Sequence, residues 1–214
     1  MKIVPFVSLF CITCILSFSS CETDDVDPQG IEEVVGDVVL PPLTGFIINE
    51  VLYDPPSGDN VGDANGDGVR DANDDEFIEF YNGTADALDI SGYKITIDNG
   101  GADSLDRHIF PAGTIIPSAK ALVLFGGGTL TGLFGNSLAQ TASSGSLNLN
   151  NSGEIITVYD TSGVLVVTFD INPLSGNPDE SYTRNPDLTG DFVQHSDVGT
   201  LLFSPGTRND GTSF

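Results

Sequence analysis

The stretch Asp63-Ala-Asn-Gly-Asp-Gly-Val-Arg-Asp-Ala-Asn-Asp-Asp-Glu-Phe-Ile-Glu-Phe-Tyr-Asn82 changes character at Glu76. From there to Asn82, Phe77, Glu79 and Tyr81 alternate with Ile78 and Phe80, the period of a strand and not of a helix. Outward from it, Phe46 to Tyr53 reads as a preceding strand, closed by Asp54-Pro-Pro56. Tyr93 to Asp98, Arg107 to Phe110, Ala121 to Phe125, Glu154 to Asp160 and Val164 to Asp170 follow, each flanked by Gly, Asn, Pro or Ser. Thr161-Ser-Gly163 joins the last two as a tight hairpin. No stretch sustains helical periodicity, so the pattern predicts an all-β, antiparallel β-sandwich.

The first half of the same stretch carries a chemistry. Asp63, Asn65 and Asp67 offer side-chain oxygens, Gly68 a sharp turn, Val69 a backbone carbonyl, and Asp71 and Asp74 further carboxylates. That is the order in which a calcium loop presents ligands at its first, third, fifth, seventh, ninth and twelfth positions. Oxygen donors without imidazole or thiolate select calcium over zinc or copper. A helix would flank an EF-hand loop and a glutamate would close it; here a strand follows, and Asp74 holds the last place, with Asp75 and Glu76 as substitutes. The stretch resembles the helix-free loops of thrombospondin type 3 and dockerin repeats. Surface turns also favour Asp, Asn and Gly. Yet crowded carboxylates repel by about 1 kcal/mol per pair at roughly 5 Å even in water, a cost that a plain turn does not require.

Composition bounds the rest. The 214 residues suffice for one all-β domain with tails, and 39% apolar residues supply a core. Net charge is −24 and is spread along the chain, which repels phosphate backbones and argues against nucleic-acid partners. All three cysteines lie at or before Cys21. Cys11 and Cys14 have C-x-x-C spacing but fall inside an apolar export segment, so the domain is expected to have neither disulfide nor thiolate.

Met1-Lys2 starts positive, Ile3 to Phe18 is almost wholly apolar, and Ser19-Ser20-Cys21 closes with small residues. Residues 1–20 read as a signal peptide rather than a membrane-spanning helix, since acidic residues follow at once. Phe18-Ser-Ser-Cys21 resembles a bacterial lipobox, with Phe18 in place of the usual leucine, and this makes Cys21 the expected lipidation site. Glu22-Thr-Asp-Asp25 is similar to acidic signals that carry lipoproteins to the cell surface. Residues 21–44 then form an acidic tether, and the domain is expected over 45–214 with the calcium loop inserted at 63–74.

Ile48-Asn-Glu-Val-Leu-Tyr-Asp-Pro55, Glu76-Phe-Ile-Glu-Phe-Tyr-Asn82 and Leu88-Asp-Ile-Ser-Gly-Tyr93 occur in succession. After them come His108-Ile-Phe-Pro-Ala-Gly113, Ala121-Leu-Val-Leu-Phe125, Leu149-Asn-Asn-Ser-Gly-Glu154, Ser181-Tyr-Thr-Arg184 and Ser204-Pro-Gly-Thr-Arg-Asn209. In this order they resemble the lamin-tail domain, an immunoglobulin-like β-sandwich of nuclear lamins and many bacterial surface proteins. The resemblance implies a fold without glycosidase activity, and an arginine at 184 that pairs with a carboxylate to pin the last strands. The family often carries a late tryptophan; this chain has none, which leaves Phe192 or Phe203 to fill that space.

Sites for catalysis are sparse. Glu50 and Glu79, on the strands bracketing the loop, are the best placed for general acid-base work; outward-facing on neighbouring strands, they would either form a carboxylate pair or supplement the calcium site. His108 and His195 lack a nucleophile setting and are expected as satisfied loop or strand-edge histidines. Gly126-Gly-Gly128 has no phosphate-loop lysine or helix after it and reads as a flexible turn. The sequence therefore predicts a non-enzymatic, calcium-binding protein at a bacterial outer membrane or cell surface, lipid-anchored, for adhesion, scaffolding or binding of an unknown protein or glycan. The alternatives are a calcium-dependent carbohydrate-binding module using Tyr53, Tyr81, Tyr93, Tyr159 or Tyr182, and an accessory domain of a secreted nuclease or phosphodiesterase system.

Overall fold

β1 (Phe46–Leu52) and β2 (Phe77–Asn82) lie side by side at the centre of the larger of two sheets, with Glu50 opposite Glu79. The computed structural model describes residues 45–58, 61–98 and 104–214; the export segment, Cys21 and the tether lie outside them. Ten further strands follow: β3 (Leu88–Asp89), β4 (Lys94–Asp98), β5 (Leu105–Ile109), β6 (Ile115–Ile116), β7 (Ala121–Phe125), β8 (Leu138–Thr141), β9 (Ile155–Tyr159), β10 (Leu165–Asp170), β11 (Tyr182–Asn185) and β12 (Asp191–Gln194). The larger sheet has the order β12-β11-β1-β2-β7-β8, the smaller β10-β9-β4-β5, and β3 pairs with β6 as a short ribbon. Pairing is antiparallel except between β7 and β8, which run parallel. The molecule is thus an all-β, immunoglobulin-like sandwich, as its alternation predicts. Every strand expected from the sequence is present; β3, β6, β8, β11 and β12 are too short or too polar to have shown a period.

The main core fills the space between the sheets. Ile48, Val51, Ile78, Phe80, Leu122 and Leu124 point in from the larger sheet, and Ile95, Ile97, Ile156, Val158 and Phe169 from the smaller. Phe80 stacks on Phe46 at 5.0 Å between ring centroids and meets Phe110 edge-on at 5.9 Å. Truncating Phe80 to alanine would cost about 3–5 kcal/mol. Phe192 packs on this core, edge-on to Phe169 at 4.7 Å, whereas Phe203 joins a separate cluster.

That second cluster explains why β2 is buried along its whole length. On the other face of the larger sheet, Leu52, Phe77, Val123 and Phe125 pack with Phe134 and Phe203. At the opposite end of the same face Ile47, Tyr81, Ala121 and Leu188 pack with Phe214. A face that alternation alone would leave to solvent is therefore covered by the chain's last segment, and the residues between the two apolar groups are buried with it. Those residues are Glu50 and Glu79.

Candidate functional site

The acidic loop is shaped by its own backbone amides. Asp63 accepts from Gly66 N–H at 2.9 Å and Gly68 N–H at 2.8 Å, Asn65 from Asp67 N–H at 3.0 Å, and Asp67 from Val69 N–H at 2.9 Å. Asp71 accepts from the amides of Asn73 and Asp74, which hold its carboxyl below the usual range. Positive φ at Gly66 and Gly68, 79° and 89°, lets the chain reverse between these carboxylates. Asp74 is pushed the other way, first by burial and then by the charges of Asp71 and Asp67. The loop's own cation does little to relieve them, because Arg70 donates to the carbonyls of Pro56 and Pro55 at 3.1 and 2.6 Å. Val69, meant as a carbonyl donor, has an exposed side chain.

Asp75 and Glu76 are not free to close the loop. Asp75 is buried and accepts from the amides of Ala64, Asn65 and Asp71 at 2.8, 3.0 and 2.7 Å, tying the two ends of the loop together. Glu76 accepts from Leu149 N–H at 3.0 Å, and burial pushes its carboxyl up to about 9. Among the described residues no three His, Cys, Asp or Glu side chains are gathered as a ready-made metal cage. The donors at 63, 65, 67, 71 and 74 are instead strung along one loop, all of them oxygens, a set that suits a hard cation.

The glycine run Gly126–Gly128, expected as a flexible turn, is the wall against which this loop rests. A Cβ at Gly126 would lie 1.8 Å from the Asn73 carbonyl oxygen, at Gly127 2.2 Å from Asp74 Oδ1, and at Gly128 2.3 Å from Asn65 Nδ2. Thr129 N–H donates to Asp67 at 3.2 Å, and the amides of Thr131 and Gly132 to Asn65 O, each at 3.2 Å. Thr131 Oγ1 closes the contact on Gly66 O. Only three glycines in a row let β7's exit pass so close, and their position just after an apolar strand was the signal available in the sequence.

Glu50 and Glu79 stand on the sheet face away from the main core, as alternation predicts, but they are not exposed: both are wholly buried, and the covering segment is bonded to them. A bulge at Asn49 turns Asn49 and Glu50 toward one network. Glu79 accepts from Asn49 Nδ2 at 2.9 Å and Gly206 N–H at 2.6 Å. Glu50 accepts from Ser181 Oγ at 2.6 Å, Ser204 N–H at 2.8 Å and Ser204 Oγ at 2.6 Å. Burial raises both carboxyls, and the charge of Glu50 raises Glu79 further.

His195 belongs to the same network. Its Nδ1 lies 3.0 Å from Leu201 O and its Nε2 3.0 Å from Ser204 Oγ. The carbonyl only accepts, so Nδ1 carries a proton. Ser204 has one hydroxyl proton, so either His195 donates to it and it donates to Glu50, or Glu50 carries the proton and the chain runs in reverse. Serine stands between acid and base here, whereas a hydrolase needs histidine in the middle. His108 is buried too, its Nδ1 accepting from Ser143 N–H at 3.1 Å, and burial lowers it to about 4. Arg184 pins the last strands, but through carbonyls rather than a carboxylate. It donates to Ile48 O at 2.9 Å and Gly190 O at 2.8 Å while its guanidinium lies 4.3 Å over Phe192.

The family model described as Lamin Tail Domain matches residues 43–172, from the strand before the acidic loop through β10. No curated protein matches the chain.

Proposed function

The chain belongs to the lamin tail domain family, and from that premise we propose that it is a binding or scaffolding domain without catalysis of its own. In this reading it is held at a bacterial envelope or cell surface by lipid on Cys21 and is stabilised by calcium at Asp63, Asn65, Asp67, Val69, Asp71 and Asp74. The observation that carries the non-catalytic reading is the burial of Glu50 and Glu79, the strongest acid-base candidates, beneath residues 203–206 with their oxygens engaged. A general acid or base must reach the proton it moves. These two reach only the protein.

What supports calcium is the residual charge of the loop. The charges of Asp71 and Asp67 bear on Asp74, and Arg70 is turned to the Pro55 and Pro56 carbonyls. Calcium bound there would supply charge neutralisation and tie loop to glycine wall. The protein's own residues supply the turn, the wall and the oxygens.

Two measurements test the proposal. Mass spectrometry of the membrane fraction should find a mature chain starting at an acylated Cys21; a soluble form cut elsewhere contradicts the anchor. The purified chain should turn over no DNA, phosphodiester or glycan substrate. Calcium-dependent turnover that vanishes in Glu79→Gln, with the fold retained, would make the enzyme reading the better one.

A further inference from the structure

The outer face of the smaller sheet carries a row of side chains set by register. Leu165 is opposite Tyr159, Tyr159 opposite Lys94, and Lys94 opposite Ile109, so one residue from each of β10, β9, β4 and β5 stands on the same side. Leu165 and Ile109 are 55% and 52% exposed, and Tyr159 is half-buried. Over Tyr159, Lys94 and Ile109 of this row lies a cavity of about 460 Å³, within the range in which proteins hold small ligands. Its walls are the β9–β10 hairpin at Thr161 and Gly163 and the approach to β4 at Gly92, where a Cβ would meet Thr161 at 3.0 Å. The hairpin is fixed by Asp160, which accepts from Ser162 N–H at 2.8 Å and Val164 N–H at 2.9 Å.

Charge and polarity narrow the ligand. Lys94 pairs with Asp106 at 3.1 Å, so an incoming anion meets a neutralised cation in a chain of net charge −24. A wholly apolar ligand would have to cover that ion pair and the Thr96 and Thr161 hydroxyls, a desolvation cost without return. A neutral ring with one apolar face and a rim of hydroxyls meets neither objection. Its face would lie on Tyr159 and Ile109, and adjacent hydroxyls would accept from Lys94 and donate to Asp106, which adjoins the cavity through its ion pair with Lys94. The other tyrosines do not compete: Tyr53, Tyr81 and Tyr182 are buried, and Tyr93 packs on the core. We propose that this cavity is a saccharide site that holds one pyranose ring against Tyr159, with hydroxyls on Lys94 and Asp106. The inference rests on reading the domain as a binding module, and it makes the partner a glycan.

The test is an amide NMR titration of the full chain in detergent micelles with glucose, galactose, mannose, xylose and N-acetylglucosamine, each with calcium and with chelator. At least one sugar should shift the amides of Lys94, Thr96, Tyr159 and Thr161. Tyr159→Ser and Lys94→Met should each weaken binding roughly tenfold. Lys94 sits in an exposed ion pair, which contributes little to stability, so its variant stays folded even where the tyrosine variant does not. Shifts that persist in chelator keep the saccharide site if the calcium reading fails. No shift at these amides with any of the sugars, or equal binding by Lys94→Met, overturns the inference while leaving the calcium reading intact.

Discussion

Glu79 was legible as a carboxylate on a strand, and its side on that strand was legible too. What alternation could not show is that Gly206, far away in sequence, would cover it and donate to it at 2.6 Å. A strand's period tells which residues share a face; it does not tell whether a later segment returns to bury that face. Removing the acceptor should therefore be costly for folding and not for chemistry. Glu79→Ala strands the Gly206 N–H and leaves Asn49 Nδ2 only its long 3.4 Å bond to Asp187, and a buried donor so stranded costs about 1–3 kcal/mol. Urea unfolding should show a loss of about 3 kcal/mol, with Glu79→Gln, which keeps one acceptor oxygen, losing less. An alanine variant as stable as the parent would mean that the network contributes nothing.

At the scale of elements, the acidic loop and the glycine run form one unit from two distant stretches. The order of ligand-type residues from Asp63 to Asp74 was readable because it is local. The wall was not, since Gly126–Gly128 shows its purpose only when β7 is laid beside β2 and the Asn73 carbonyl arrives within reach of a would-be Cβ. The first two of the three glycines should differ in substitution. Gly126→Ala meets backbone, which cannot swing aside, and should destabilise the domain by about 3 kcal/mol. Gly127→Ala meets the end of a side chain, Asp74 Oδ1, and should cost less while displacing a residue of the proposed calcium loop. Thermal melts with and without calcium should separate the two, the first lowering both curves and the second chiefly narrowing the gap between them. Equal behaviour of both variants would remove the glycine run from the site.

For the whole molecule, buried acids decide how stability depends on pH. Glu76 is pushed up to about 9 by burial, and burial also raises Glu50, Glu79, Glu154 and Asp187. A carboxyl with a raised folded pKa holds its proton in the fold after the unfolded chain has lost it. Its contribution is full below the unfolded value and is lost as pH rises through the folded one. His108 acts oppositely, since its lowered value costs stability as pH falls from about 6.5 toward 4. Above pH 6.5 the histidine no longer opposes the carboxyls, so the metal-free protein should lose stability steadily toward pH 9. Glu76→Gln should flatten that slope in denaturant unfolding at several pH values. A stability that rises from pH 6.5 to 9 would contradict the assignment of these acids.

The excess of carboxylates in the loop from Asp63 to Asp74 is what a bound calcium would relieve. Loops of this kind outside cells bind in the range of about 10⁻⁴ to 10⁻³ M, and a hundredfold excess over Kd adds about 2.7 kcal/mol through linkage. For a domain of this size that is a rise in Tm of about 5–10 °C. The most direct measurement is the Tm of the purified chain in excess calcium and in chelator, for the parent and for Asp67→Ala. Calcium should raise the Tm of the parent and leave that of Asp67→Ala unchanged; equal Tm in both conditions for the parent would contradict a calcium site in this loop.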